Sequence, residues 1–219
     1  YTKDIRTTAC SPLYENFIPD FDSTAVTLLK NDGAIIMGKT VTTEWACNDP
    51  PPTLNPWNAN HSPGGSSSGS AVGVAARIFP GALGSQTAGS VIRPAAYNGI
   101  IGLKPSFGLI SRYGVFPAAW SLDTMGLFTR TVEDSALLLQ TLSRHDPKDF
   151  SSTDLPSRIL IPNKRGNPPK IGILETFFYE GCSDEVRSHT LRIVEQLRKA
   201  GAEIYKVNLP ANFDALLAA

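Results

Sequence analysis

The chain has 219 residues, of which 42% are hydrophobic and 18% charged, a composition typical of a globular protein with its own core. Its 20 basic and 20 acidic residues cancel, which removes the electrostatic attraction that nucleic acid or an anionic membrane requires, and no apolar run is as long as a membrane span. The three scattered cysteines form no CxxC motif, so we predict a cytoplasmic protein with reduced thiols and no zinc site.

The first predicted element is a short helix at residues 23–31, with Ser23 as its N-cap. The apolar run at residues 34–37 follows an Asn-Asp-Gly turn and is typical of a buried strand. Five prolines at residues 49–63 then predict an ordered but irregular loop.

The middle of the chain alternates between helix and strand. Small apolar residues predict a helix at residues 67–77, and a short strand follows at residues 82–84. The sequence TVED, which begins at Thr131, is a capping box that opens an amphipathic helix at residues 132–142.

The last part of the chain predicts a βαβ unit, with strands at residues 170–174 and 203–207 and a helix at residues 184–200. Strands that alternate with helices predict an α/β fold with helices on both faces of a mostly parallel sheet. We expect residues 1–219 to form a single domain, in which the polar, proline-rich residues 146–169 are the best candidate for a join between subdomains.

Two turns rich in glycine and serine carry the chemistry. Residues 62–70 read SPGGSSSGS and contain Ser66, and residues 84–94 read GSQTAGSVIRP and contain Ser90. Glycine lets N–H groups converge beside a serine hydroxyl, which supplies the nucleophile and the oxyanion site of acyl transfer. A flexible linker is the alternative interpretation, but the apolar segment at residues 71–76 favours an ordered site.

Four segments occur in a characteristic order: residues 64–70, 89–94, 99–105 and 121–126, preceded by the strand-like residues 32–40. Together they resemble the amidase signature family of serine hydrolases, and the malonamidase type is the most similar branch. The resemblance implies a layered α/β/α fold around a large, twisted mixed sheet, which is incomplete at both ends of this chain.

The resemblance also implies a Ser–Ser–Lys triad. Ser90 corresponds to the nucleophile, and Ser66, whose peptide bond to Gly65 is cis in this family, relays protons between Ser90 and a neutral lysine. That lysine is expected just upstream of Tyr1, outside the sequence, because Lys3 stands too close to the threonines that follow it. We therefore expect the chain by itself to be catalytically inactive.

The implied oxyanion site is the turn before the nucleophile, where the backbone N–H groups of Thr87, Ala88 and Gly89 are the donors, together with that of the nucleophile itself. Two positions depart from the pattern common in the family. Gln86 stands where many members have aspartate, and Ala88 stands where glycine is frequent. Neither change removes an N–H group, so the oxyanion site is expected to persist.

Arg93 is the cation nearest to the nucleophile in sequence, and two roles stay open for it. It either binds a substrate carboxylate or braces the turn through an ion pair, for which Asp123 and Arg112 are candidate neighbours. His61 stands close before the first turn, but a lone histidine is more often structural or exposed. Lys39 lies in a family-like segment without being the triad lysine.

The predicted function is hydrolysis of a linear carboxamide, not a peptide bond, to a carboxylate and ammonia or an amine through a seryl acyl-enzyme. We expect a small-molecule amide as the partner, no cofactor, metal, nucleic acid or membrane, and a homodimer is compatible with the sequence. One alternative is the glutamine-hydrolysing component of a tRNA amidotransferase, although the QTAG sequence at residues 86–89 differs from the Asp-Thr-Gly-Gly usual there. The other is a non-catalytic protein on the same scaffold.

Overall fold

The computed structural model describes residues 1–47, 50–153, 167–174, 177–210 and 213. The chain divides into two compact units, Tyr1–Ile161 and Pro162–Ala219. The single domain with a join at residues 146–169 stays a prediction, and residues 154–166 of that range lie outside the described residues.

The described residues contain both helices and strands. The helices are α1 Thr24–Asn31, α2 Ser68–Ala75, α3 Ile92–Asn98, α4 Val132–Leu142, α5 Phe177–Glu180 and α6 Asp184–Lys199. The strands are β1 Gly81–Gln86, β2 Ile101–Leu103, β3 Thr124–Thr129, β4 Lys170–Leu174 and β5 Glu203–Val207. Within this part of the chain, no helix is both long and apolar enough to cross a membrane. The mixed α/β fold class predicted from the sequence is confirmed.

The sheet of the first unit has the strand order β1-β3-β2, and both pairs are antiparallel. Its central strand, β3, is buried along its whole length. β1 and β2 are parallel to each other and are connected by α3, but β3 lies between them in the sheet. This inserted strand is why the first unit has antiparallel pairs where alternation along the chain favoured parallel ones.

Helices cover both faces of this sheet. On one face Met125 and Leu127 of β3 pack in a cluster with residues of α1 and α4. On the other face Phe128 packs with residues of α2 and α3. Successive side chains of a strand point to opposite faces, so Leu127 and Phe128, both fully buried, belong to different layers. The first unit therefore has an α/β/α arrangement with β3 at its centre.

Side-chain caps fix the starts of two helices in the first unit. The Ser23 hydroxyl accepts a hydrogen bond from the Val26 N–H at the start of α1. The Thr131 hydroxyl accepts one from the Asp134 N–H at the start of α4, at 3.1 Å. Each bond satisfies an N–H group that has no partner within the helix. Both caps were predicted and are confirmed.

The strand predicted at residues 34–37 is wrong. The segment has no regular secondary structure and pairs with no described strand, and Ile35 and Met37 are 85% and 72% exposed. Only Ile36 packs against the core cluster of α1 and α4. An apolar run indicates a tendency to be covered, but a strand also needs a partner for its backbone, and the described residues supply none here.

The second unit contains the predicted βαβ unit. β4 and β5 pair in parallel, from Lys170 opposite Glu203 to Leu174 opposite Val207, and α6 connects them. Gly201, with φ +97°, follows the end of this helix. No residue of α6 is buried.

Asp146 joins three segments of the first unit through its buried carboxylate. Its oxygens accept hydrogen bonds from the hydroxyls of Ser111 at 2.6 Å and Thr24 at 2.5 Å, and from the Lys148 N–H at 2.9 Å. Burial alone raises the pKa of Asp146, but these donors outweigh burial and hold the pKa below its usual value of 3.8. The carboxylate is therefore a stabilising tie between α1 and two loops.

We expect the free energy of unfolding to fall as the pH falls below about 4, in part because of Asp146. Since its pKa is lower in the folded chain than in the unfolded one, its contribution is complete above the unfolded value and is lost as the pH passes through the folded value. Asp146→Asn should destabilise the protein by about 2 kcal/mol at pH 7. It should also make the free energy of unfolding less dependent on pH below about 4. Urea titrations at several pH values measure both effects. The matched control is Asp20→Asn at an exposed aspartate, and an equal response of the two variants would refute the role of Asp146.

Candidate active site

The two serine turns meet where the first turn packs against α3. Gly64 has φ +71°, and a Cβ atom at this position would lie 2.7 Å from the Cα of Pro94. Any other residue would therefore be strained and would push α3 away. The close approach brings Gly65 and Ser66 beside the start of α3, as the glycine content of the turn predicted.

Ser66 and Ser90 lie in adjacent, hydrogen-bonded turns. The Ser67 N–H donates to the Ser90 carbonyl at 3.3 Å, and the Ser66 carbonyl accepts from the N–H groups of Thr43 and Ser68 at 3.0 and 2.9 Å. Both serines are buried, with 2% of Ser66 and 8% of Ser90 accessible. The Gly65–Ser66 peptide bond is cis, as the family resemblance implied. The structure thus brings together the two serines selected from the sequence.

The turn between β1 and Ser90 presents unpaired donors. Within the described residues, the N–H groups of Ala88, Gly89 and Ser90 donate no hydrogen bond. Around Gly89 the nearest neighbour of an added Cβ would be the Cβ of Arg93 at 3.8 Å, so the turn is open on that side. Consecutive N–H groups without protein partners, next to a serine, are suited to binding an oxyanion.

The carboxylate of Asp123 fixes the turn that precedes Ser90. The sequence did not predict this role. Its Oδ1 accepts a hydrogen bond from the Thr87 hydroxyl at 2.5 Å, and its Oδ2 accepts from the N–H groups of Ala118 and Ala119. Nothing in the local sequence indicates a bond between residues so far apart in the chain. The suggested pairing of Asp123 with Arg93 is not formed.

A family model for amidases matches residues 1–218, almost the whole chain. This chain belongs to the amidase family. Among its relatives, a glutamyl-tRNA(Gln) amidotransferase subunit of Persephonella marina is 44% identical over 217 residues, which are 95% of this chain and 45% of that protein. The chain therefore spans less than half the length of this relative.

Solved structures of related proteins have the same fold. The glutamyl-tRNA(Gln) amidotransferase subunit of Thermotoga maritima superimposes with a TM-score of 0.91 at 34% identity, over 95% of this chain and 48% of that one. The peptide amidase of Stenotrophomonas maltophilia superimposes with a TM-score of 0.83 at 33% identity, over 98% and 47% of the two chains. The amidase-signature fold inferred from the sequence is confirmed.

Arg93 fixes the first turn through a backbone carbonyl. Its Nε and Nη2 both donate to the Gly65 oxygen, at 3.1 and 2.9 Å. The described residues offer it no carboxylate within ion-pair distance, and its Nη1 makes no hydrogen bond there. Arg112 pairs instead with Asp149 and donates to the Asp123 carbonyl. Arg93 thus has a bracing contact and one nitrogen left for a ligand.

The other candidate bases are not bonded to the two serines. No described lysine forms a hydrogen bond with the hydroxyl of Ser66 or Ser90. Lys3 is exposed, and Lys39 lies in an exposed segment, although partial burial of its ammonium group lowers its pKa. His61 lines an open pocket with Trp57 and Tyr97 on the irregular loop. In the described part of the chain, no group of acidic, histidine and cysteine residues could hold a metal ion.

Proposed function

We propose that this amidase hydrolyses a carboxamide through an acyl-enzyme on Ser90. The observation that carries the proposal is the position of Ser90, beside the turn of Ser66 and directly after N–H groups that have no partner among the described residues. The Ser90 Oγ attacks the amide carbon while its proton leaves by way of Ser66. The C–N bond then breaks, and the departing nitrogen takes up that proton. Water attacks the resulting ester, which releases the carboxylate and restores Ser90.

The N–H groups of Thr87, Ala88 and Gly89, with that of Ser90, are proposed to hold the negatively charged oxygen of the tetrahedral intermediates. Their orientation before the substrate binds avoids a reorganisation cost during the reaction, which makes such donors effective. Asp123 supports this role because it fixes the Thr87 side chain.

The base proposed to accept the proton from Ser66 is a lysine, as in the family's triad. The family resemblance supports a position for this lysine before Tyr1, and no described lysine forms a hydrogen bond with the hydroxyl of either serine. A lysine can act as a base only when it is neutral, so its surroundings must lower its pKa. Residues 1–219 alone are accordingly proposed to be inactive.

Two substrates are candidates for this chemistry. The relatives named as glutamyl-tRNA(Gln) amidotransferase subunits favour the amide of glutamine, hydrolysed within an amidotransferase complex. They support that alternative better than the stand-alone, malonamidase-like amidase first expected from the sequence. Gln86, Ala88 and the free nitrogen of Arg93 favour the second candidate, a small amide that carries a carboxylate.

Ammonia release from the whole protein separates the two candidates. If the protein works within an amidotransferase, we expect slow glutamine hydrolysis by the isolated protein and a large stimulation when its partner proteins and glutamyl-tRNA(Gln) are added. Full turnover of small dicarboxylic monoamides without partners would instead favour the stand-alone amidase. A lack of turnover on either substrate under both conditions would favour the non-catalytic alternative.

Arg93→Lys tests whether Arg93 binds a substrate carboxylate. Lysine keeps the charge, but its single nitrogen cannot hold both the Gly65 carbonyl and a substrate carboxylate as the guanidinium can, so kcat/KM for amides with a carboxylate should fall about 10- to 100-fold, and that for neutral amides much less. The matched control is Arg130→Lys, because Arg130 also donates to backbone carbonyls, those of Val74 and Phe79, outside the site. Equal losses on both kinds of amide would assign Arg93 to bracing alone.

A further inference from the structure

Gln86 is buried at the end of β1 and ties together both ends of the oxyanion turn. Its Oε1 accepts hydrogen bonds from the N–H groups of Val91 and Ile92, at 2.8 and 2.9 Å. Its Nε2 donates to the Ala88 carbonyl at 2.9 Å. Only 6% of the residue is accessible, so water does not compete effectively for these bonds.

The partners determine which way the amide of Gln86 faces. Two backbone N–H groups can only donate, so the oxygen must face Val91 and Ile92, and the Ala88 carbonyl can only accept, so the nitrogen must face Ala88. A carboxylate at this position could replace the first two bonds. It could not make the third, because its second oxygen would face the Ala88 oxygen.

The bond to Ala88 sets the direction of the next N–H group. In a trans peptide unit the C=O and the following N–H point in opposite directions and lie in one rigid plane. With the Ala88 carbonyl held toward Gln86, the Gly89 N–H points away from Gln86. This N–H is one of those that donate no hydrogen bond within the described residues.

We propose that Gln86 is a positioning residue, which aims the Gly89 N–H at the reacting carbonyl oxygen by holding the Ala88 carbonyl on the opposite side of the peptide plane. The proposal rests on the proposed role of Ser90 and its turn. Gln86 touches neither the substrate nor the reacting atoms; it acts through the main chain of the turn. Because its amide is neutral, Gln86 also fixes the turn without placing a negative charge beside the oxyanion that forms there.

Gln86→Glu in the whole protein tests the proposal, because it replaces one donor by an acceptor at nearly constant shape. We expect kcat to fall about 10- to 100-fold with little change in KM, since the donor concerned acts mainly in the transition state. Inhibition by phenylboronic acid, which forms a tetrahedral adduct with an active serine, should weaken by a similar factor. Gln140→Glu on the exposed face of α4 is the control for the same chemical change and should keep full kcat.

If the role of Gln86 is merely structural, Gln86→Glu should lower the melting temperature but leave kcat and boronate affinity per folded molecule unchanged. That result would overturn the proposal. If Gln86→Glu does not fold, Gln86→Met provides the same comparison without a charge, and full kcat there would also overturn it. Ser90→Ala distinguishes a failure of the proposed function from a failure of the proposed role of Gln86. Activity that survives Ser90→Ala refutes the proposed function, whereas activity lost in Ser90→Ala but unchanged in Gln86→Glu refutes only the role of Gln86.

Discussion

Replacing Ser90 by alanine is expected to lower kcat for amide hydrolysis by about 10⁴-fold or more, the largest effect of any single substitution in this chain. Without the Oγ atom no ester to the enzyme can form, and the remaining acceleration comes only from binding and from the oxyanion donors. Those donors are backbone N–H groups, which the substitution leaves in place. Steady-state ammonia release by the whole protein measures the effect.

The fold should tolerate Ser90→Ala, because the bond that this residue makes to the neighbouring turn uses its carbonyl, which accepts from the Ser67 N–H. The melting temperature of the variant should therefore stay close to that of the parent protein. Ser121→Ala, at an exposed serine, is the control for the loss of a hydroxyl. Retention of more than about a tenth of kcat in Ser90→Ala, a loss far smaller than that of other triad nucleophiles, would show that another residue is the nucleophile.

Replacing Ser66 by alanine is expected to lower kcat by about 10²- to 10⁴-fold, the range typical of losing a proton-transfer group. The Ser66 hydroxyl is proposed to carry the proton from Ser90 to the base and later to the leaving nitrogen, and alanine interrupts both transfers. The carbonyl of Ser66, which accepts from Thr43 and Ser68, is unaffected, so the turn should keep its shape.

Ser70→Ala is the matched control for Ser66→Ala. Ser70 is also buried and lies one helical turn after Ser66, in α2, and its hydroxyl donates to the Leu83 carbonyl of β1. Its removal should lower stability by about 1 kcal/mol and leave kcat unchanged. If the two variants lose the same fraction of kcat, Ser66 contributes through packing and not through proton transfer. In Ser66→Ala combined with Ser90→Ala, the losses should not add, because residues of one relay act together.

The elements that the sequence predicted well are those with local signals. Ser23 and Thr131 cap α1 and α4 through N–H groups only three residues ahead, so the information lies within one helical turn. The two serine turns were also predictable, because glycine at a positive φ, as at Gly64, has few structural substitutes. The parallel βαβ unit followed from the spacing of its apolar runs.

Elements that depend on distant partners were not predictable in the same way. The apolar residues 34–37 have strand-like composition, but no described strand pairs with them. β3, which forms the centre of the first unit, was not predicted as a strand. In the site, Asp123 reaches Thr87 through a bond that spans 36 residues of sequence, and Arg93 donates to Gly65 across 28. Such bonds follow from the packed fold and not from local pattern.

The most direct test of the central claim is covalent labelling of the whole protein with a serine-directed fluorophosphonate, followed by tryptic mapping. Trypsin does not cleave before proline, so Arg93 and Lys104 are protected, and Ser90 should appear in a single peptide of residues 78–112. We predict one label on that peptide, which fragmentation places on Ser90 and which Ser90→Ala abolishes. A label on any other residue, or labelling that persists in Ser90→Ala, would contradict the assignment of Ser90 as the nucleophile.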